Sequence, residues 1–335
     1  MKRTIMPAVG MLAILILAFF GYQFTGKITD LNRNAKTSLP KLTVRPIDKT
    51  GSAGSIANLK MDIEKPNLPE KVMVYKVRKP IITKDQVLIQ ANNLGISGEV
   101  KESLVDFSIK SQNGDYIVDK ETGSFHYITD DFKFRAEPLK TILSDEEYKK
   151  LATDFLTEKG LMKAKAVFRD VNKGNVTLAN VNDDGNGKEV PFMIEVRFSR
   201  DLNGMEWNGV GPKISVYFGE NGKITGAASV WREVEPYQEY PIISLDDALA
   251  QIKEGNAQIF NATPNDTVAV KEVKLIYISD PIGYHQEFVI PYYLVRGTNN
   301  ANNSVTALTR AIPENLLSII PPPPYTAPRG VKTKK

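Results

Sequence analysis

The 335-residue sequence contains no cysteine, and it has only two histidines, His126 and His285. The missing cysteine excludes disulfides, thiolate metal sites, cysteine nucleophiles and lipid attachment through a cysteine. Neither histidine lies in a nucleophile motif, and no Gly-x-Ser-x-Gly elbow is present. We therefore predict that the protein is not an enzyme and requires no cofactor. Its fold must depend on an apolar core, for which 42% hydrophobic residues are sufficient.

The folded part of the chain also lacks an excess of positive charge. Six of the 43 basic residues lie at the two ends, and the 37 that remain are balanced by 39 acidic residues. A nucleic-acid-binding domain concentrates positive charge on its surface. We therefore predict that nucleic acid is not a partner.

Charge is absent from residues 5–24, which follow the basic pair Lys2 and Arg3. As a helix this segment would be about 30 Å long, which matches the hydrocarbon core of a bilayer. A cleaved secretory signal is the alternative, although its apolar core is shorter and it ends in small residues. We expect a single-pass anchor in the plasma membrane, with the N-terminus in the cytoplasm and the domain outside. Basic residues after the segment oppose this orientation.

Composition divides the chain into five parts. Residues 1–24 form the cytoplasmic tip and anchor, and residues 25–69 are rich in Lys, Asn, Ser, Gly and Pro, as in a stalk or irregular linker. A first helix-plus-sheet module is predicted at 70–135, and a second, larger α+β region at 140–315. Residues 316–335 form a proline-rich, basic tail.

Three helices share one pattern of start and end signals. Each begins with a Ser or Thr cap that is followed three residues later by an acidic or amide side chain, and each ends near a glycine. The caps and glycines are Thr83 with Gly95, Ser144 with Gly160, and Ser244 with Gly255.

One short strand-like segment precedes the first helix, and several follow each of the three helices. They are predicted at 72–77, 105–110, 116–118, 125–128, 166–169, 176–181, 191–199, 213–218, 223–231, 268–278, 287–295 and 304–312. One helix followed by several strands joined by turns indicates an α+β fold of tandem modules, in which a helix packs on an antiparallel sheet.

Several segments resemble known families. Residues 74–77, 83–95, 116–119 and 122–125 are similar to a PepSY-type unit, in which one helix packs on a small antiparallel sheet. Residues 216–218, 221–224, the helix from Ser244 and residues 288–295 resemble the extracytoplasmic part of YycI/YycH-type regulatory proteins.

The resemblance implies a membrane-anchored regulator that acts by contact. Regulators of the YycI/YycH type restrain a sensor histidine kinase, and related propeptide modules inhibit peptidases. We expect a partner in the membrane or cell envelope, which could be a sensor kinase or a peptidase. Two alternatives remain open: a modulator of an extracellular peptidase, and an envelope hydrolase that uses carboxylates such as Glu233 and Glu235.

One loop has the spacing of calcium ligands. Asn182, Asp184 and Asn186 alternate as in an EF-hand, and Gly187 occupies the sixth position. The twelfth position is Met193, where a glutamate is required, so a polar hairpin loop is the competing interpretation. The segment Gly219–Thr225 resembles a phosphate loop, but its spacing is wrong and we predict a hairpin turn.

Aromatic residues are concentrated in the last third of the chain. They could form a contact surface, since amphipathic rings often anchor interfaces, or the core of the last sheet. The contact candidates are Trp231, Tyr237, Tyr240, Tyr284 and Tyr292.

Overall fold

A computed structural model describes residues 38–49, 54–133, 137–178, 188–209 and 211–320. Three predicted features lie outside these ranges: the anchor at 5–24, the calcium candidates Asn182, Asp184 and Asn186, and residues 321–335 of the tail. Within the described ranges, no helix combines the length and the apolar composition needed to cross a membrane.

The three predicted helices are confirmed. They are α1 (Lys84–Asn93), α3 (Asp145–Glu158) and α4 (Leu245–Lys253), and a short helix α2 (Asp130–Lys133) lies between the first two. Each of the three has a cap oxygen that accepts a hydrogen bond from the backbone N–H three residues later. The chain turns away after each helix through a glycine in the left-handed region, with φ of 78° at Gly95, 64° at Gly160 and 76° at Gly255.

The first sheet has eight strands and joins two helix-plus-sheet units. Its strands, in spatial order, are β4 (Lys101–Glu102), β5 (Asp106–Ser111), β6 (Gly114–Asp119), β7 (Phe125–Thr129), β13 (Ile224–Val230), β12 (Lys213–Phe218), β9 (Lys188–Ser199) and β8 (Val167–Leu178). Helix α1 precedes β4–β7, and α3 precedes β8, β9, β12 and β13. All neighbouring pairs are antiparallel. The sheet is therefore continuous across the boundary predicted near residue 135, since β7 pairs with β13.

The second sheet has seven strands and packs against the last helix, α4. Its path is β10 (Asp201–Leu202), β11 (Met205–Gly209), β16 (Thr267–Ser279), β18 (Pro291–Asn299), β19 (Ser304–Arg310) and β15 (Gln258–Phe260). Strand β2 (Asn58–Met61) pairs in parallel with the first part of β16. Helix α4 packs on this sheet through Ala248 and Ile252, both fully buried.

Two smaller sheets complete the fold. Strand β3 (Lys71–Arg78) pairs with β14 (Glu233–Pro241) on one side and β17 (Phe288–Val289) on the other, and β1 (Leu42–Val44) pairs in parallel with β20 (Leu317–Ile319). The region 25–69, predicted as irregular, thus supplies strands β1 and β2. Two predicted strands, 166–169 and 176–181, form the single strand β8, and the one predicted at 287–295 is divided at Ile290.

The fold is α+β, as the sequence predicts, and is dominated by sheets with few helices. Most of its buried apolar residues form two clusters. One lies between the first sheet and helices α1 and α3, and the other lies between the second sheet and α4. The turn predicted at Gly219–Thr225 is confirmed as the connection between β12 and β13.

Removing the cap of α3 tests how much this helix start contributes to stability. Ser144 Oγ accepts from the Glu147 N–H, and the Glu147 carboxylate accepts from the Ser144 N–H at 2.8 Å. We expect Ser144→Ala to lower the free energy of unfolding by about 1 kcal/mol, because the Glu147 N–H loses its acceptor. Ser144→Thr is the matched control, since Thr83 forms the same capping box at α1. Urea unfolding with equal losses in both variants would contradict the prediction.

Candidate functional site

A buried arginine fixes the loop between β16 and β17. Arg232 lies in the short connection from β13 to β14, so it stands where the first sheet passes into the third. Its guanidinium donates from Nη1 to the Asp280 carbonyl at 2.8 Å, and from Nη2 to the carbonyls of Pro281 at 3.0 Å and Tyr284 at 3.2 Å. Three bonds to one planar group hold the backbone of 280–284 in a single shape.

A second buried arginine supports the first. Arg200 lies between the rings of Trp207 and Trp231, with its guanidinium carbon 4.7 Å from each ring centroid. Its Nη2 donates to the carbonyl of Arg232 at 2.6 Å, and its Nη1 lies 3.7 Å from Glu233 Oε2. Stacking between two aromatic faces offsets part of the cost of burying this charge.

A third and a fourth arginine complete the arrangement around Asp280. The Arg45 guanidinium covers the Tyr284 ring, 3.8 Å from its centroid, and Nη1 is 4.0 Å from Asp280 Oδ1. Arg310 donates from Nη2 to the carbonyl of Arg45. Burial raises the pKa of Asp280 above its usual value, and the nearby charges of Arg45, Arg232 and Arg310 oppose this shift.

An apolar cleft opens beside these groups, and we call it the aromatic cleft. It has a volume of about 190 Å³, and its walls include Arg45, Tyr284, Phe288, Tyr292 and Ile320. One wall is the β1–β20 ribbon, and the other is the segment from 280 to 292, whose first part, 280–284, is held by Arg232.

A wider groove of about 550 Å³ continues from this cleft, sharing Arg45, Ile278, Asp280 and Tyr292 with it. Its lining also includes Phe260, Ile276, Leu294 and Leu308, which alternate with the core residues of the second sheet. The two depressions therefore form one largely apolar surface along the side of the second sheet that faces away from α4.

The structure separates the five aromatic contact candidates into two groups. Tyr284 and Tyr292 line the aromatic cleft, and the Tyr237 ring packs on Phe288 with centroids 5.0 Å apart. Trp231 is 4% exposed and Tyr240 is 0% exposed, so these two rings pack in the interior of the protein. Burial also raises the pKa of Tyr240 to about 12.

The two carboxylates considered for hydrolysis are held by different arginines. Glu233 lies near Arg200, and Glu235 accepts from Arg78 Nε at 2.7 Å. Their charges are thus compensated within the protein. Among the described residues, no group of three or more His, Asp or Glu side chains is placed to hold a metal ion.

Sequence reasoning missed Arg45, Arg232, Asp280 and Arg310. Arg45 lies in the region interpreted as irregular, and the others lie at strand ends where no periodic pattern identifies them. The sequence signal that was available is Arg45-Pro46, a charged residue fixed in extended backbone by the following proline.

No protein-family model matches the chain, and no curated protein matches it. Among solved structures, an uncharacterized protein from Eubacterium rectale ATCC 33656 is 11% identical, with a TM-score of 0.42 over 76% of this chain and 89% of that one. The Bacillus megaterium YpeB C-terminal domain is 16% identical, with a TM-score of 0.31 over 69% of this chain and 94% of that one. At these TM-scores neither likeness carries a conclusion.

Replacing Arg232 tests whether it holds the wall of the cleft. A lysine at this position cannot donate to all three carbonyls. In Arg232→Lys, buried carbonyl acceptors therefore lose their donor. We expect the free energy of unfolding to fall by about 3 kcal/mol and amide exchange at 280–287 to accelerate. Arg296→Lys is the control, because Arg296 pairs with Glu272 at the surface and should cost less than about 1 kcal/mol. Equal losses in urea unfolding would refute the assignment.

The contact between Glu121, which lies between β6 and β7, and His285, which lies in the loop between β16 and β17, gives a pH prediction. Burial works against ionisation of Glu121, but hydrogen bonds from Lys79 and His285, each at 2.7 Å, outweigh it and lower the pKa of Glu121 below its usual 4.5. Its contribution to stability is therefore present above pH 4.5 and is lost as the pH falls through the lowered pKa.

We expect Glu121→Gln to be less stable than the parent protein at pH 6, with the difference shrinking below pH 4.5. Urea unfolding between pH 3 and pH 7 measures it, and Glu146→Gln, at an exposed pair with Lys149, is the control. A stability difference that does not change with pH would contradict the assigned role.

Proposed function

We propose that this protein is a non-enzymatic, membrane-anchored extracytoplasmic protein that binds another membrane or envelope protein through the aromatic cleft. The observation that carries the proposal is the cleft itself. Two of the titratable side chains in its lining are already engaged: Arg45 with Tyr284 and Asp280, and His285 with Glu121. What the cleft offers to a ligand is mainly apolar and aromatic surface, which suits recognition better than bond-making.

The rim of the cleft supports the same proposal. Ile320 is 51% exposed, Ile282 is 42% exposed and Tyr237 is 40% exposed. Ile282 lies in the loop that Arg232 holds, and Tyr237 packs on Phe288 of the cleft wall. Clustered exposed apolar side chains next to a concave apolar site are typical of protein contact surfaces.

The anchoring and location rest on the sequence alone. We infer that residues 5–24 span the plasma membrane once, with the N-terminus in the cytoplasm, because the segment is uncharged and long enough to cross. We also propose that the helix-plus-sheet units are PepSY-like and that the protein acts as YycI/YycH-type regulators do, on a sensor kinase or a peptidase. The motifs quoted from the sequence and the repeated order of one helix followed by antiparallel strands support this proposal.

Photo-crosslinking in living cells tests the contact. A photoreactive amino acid placed at Ile282 or Tyr237 should form a covalent adduct with one envelope protein, because Ile282 adjoins the lining residue Gly283 in sequence and Tyr237 packs on the lining residue Phe288. Ile142 is the matched control: it is 42% exposed like Ile282, but it lies beside the turn at the opposite end of β13 from Arg232.

We expect adducts from the two rim positions and none from Ile142, with the partner identified by mass spectrometry. An absence of adducts at the rim, or the same adducts from all three positions, would overturn the proposed function.

A further inference from the structure

The chain leaves the described region at the aromatic cleft. Ile320 lies on its rim, and its N–H donates to the Val44 carbonyl at 2.9 Å. Strands β1 and β20 are parallel, with Val44 paired to Ile319. Ile320 therefore lies next to Arg45, whose guanidinium covers Tyr284 in the cleft.

The sequence that follows Ile320 is Pro321-Pro322-Pro323-Pro324-Tyr325. Consecutive prolines favour the polyproline II conformation, which has no internal hydrogen bonds and loses little entropy when it binds. Such segments are recognised by grooves lined with aromatic rings, against which the proline rings pack.

The cleft provides this chemistry. Tyr284, Phe288 and Tyr292 present aromatic surface, and the Arg45 guanidinium adds a flat face stacked on Tyr284. Its volume of about 190 Å³ is below the roughly 300–1,000 Å³ of small-molecule pockets, so it suits a few side chains of an extended peptide better than a cofactor.

We propose that the aromatic cleft binds a proline-rich segment, and that residues 321–325 of this chain are its occupant. The covalent connection at Ile320 gives this segment a high effective concentration at the cleft, so that even a weak interaction fills it. The tail then competes with any partner for the same surface. This inference rests on the proposed function, because it names the ligand class and the regulation of the same cleft.

Peptide binding to the full chain in detergent micelles tests the proposal. The probe is a fluorescent synthetic peptide of residues 320–329, and the control peptide has serine at its four consecutive prolines. The tail variant of the protein carries Pro321→Ser, Pro322→Ser, Pro323→Ser and Pro324→Ser, which removes the competing segment without altering the cleft.

We expect the tail variant to bind the proline peptide with one-to-one stoichiometry and at least tenfold more tightly than the parent chain does. Adding Tyr284→Ala to the tail variant should weaken binding at least tenfold, and adding Tyr237→Ala instead should weaken it to a smaller extent. Circular dichroism confirms folding, and Tyr237 provides a second variant if the loss of Tyr284 unfolds the protein.

Failure of the tail variant to bind, or equal binding of the serine peptide, would overturn the proposal. Equal affinity of the parent chain and the tail variant would overturn the assignment of residues 321–325 as the occupant. In either case the proposed function still stands if the rim positions crosslink to a partner. Conversely, tight binding of the proline peptide without any crosslink would support the proposal for the tail and contradict the proposed function.

Discussion

The arrangement of this protein depends on the burial of the Arg232 guanidinium among backbone carbonyls. A charged group taken out of water must recover its hydrogen bonds inside the protein, and Arg232 recovers three from Asp280, Pro281 and Tyr284. These acceptors lie in a loop with no regular structure of its own between β16 and β17. One side chain at the junction of two sheets therefore fixes the wall of the cleft, and Arg200 fixes Arg232 in turn through its carbonyl.

This dependence explains why the cleft lies where it does. The chain passes from the first sheet to the third at Trp231 and Arg232, and from the third to the second at Ile290. The ribbon formed by β1 and β20 closes the remaining side, so segments more than 200 residues apart in sequence meet at one point, as in the bond from Arg310 Nη2 to the carbonyl of Arg45. A surface built from several sheets in this way is rigid, which lowers the entropic cost of binding a partner.

The sequence predicts the local elements well and the site poorly, for one physical reason. Helix starts depend on neighbours within three residues, so Thr83, Ser144 and Ser244 identify them without tertiary information. Strand β14 lacks this advantage: it carries Pro236 and four acidic or amide side chains, and it is a strand because β3 pairs with it. Likewise, composition does not distinguish the buried Trp231 and Tyr240 from the cleft residues Tyr284 and Tyr292, since only the packing of distant strands decides which rings remain accessible.

The most direct test of the account is hydrogen–deuterium exchange of the intact chain in native membranes compared with the purified chain in detergent. Occupation of the cleft by a partner predicts added protection of amides in 280–292 in the membranes, with no change in the 219–222 turn at the far end of β13. Identical exchange in the two preparations, or protection confined to the 219–222 turn, would contradict the proposal that this cleft is the contact surface of the protein.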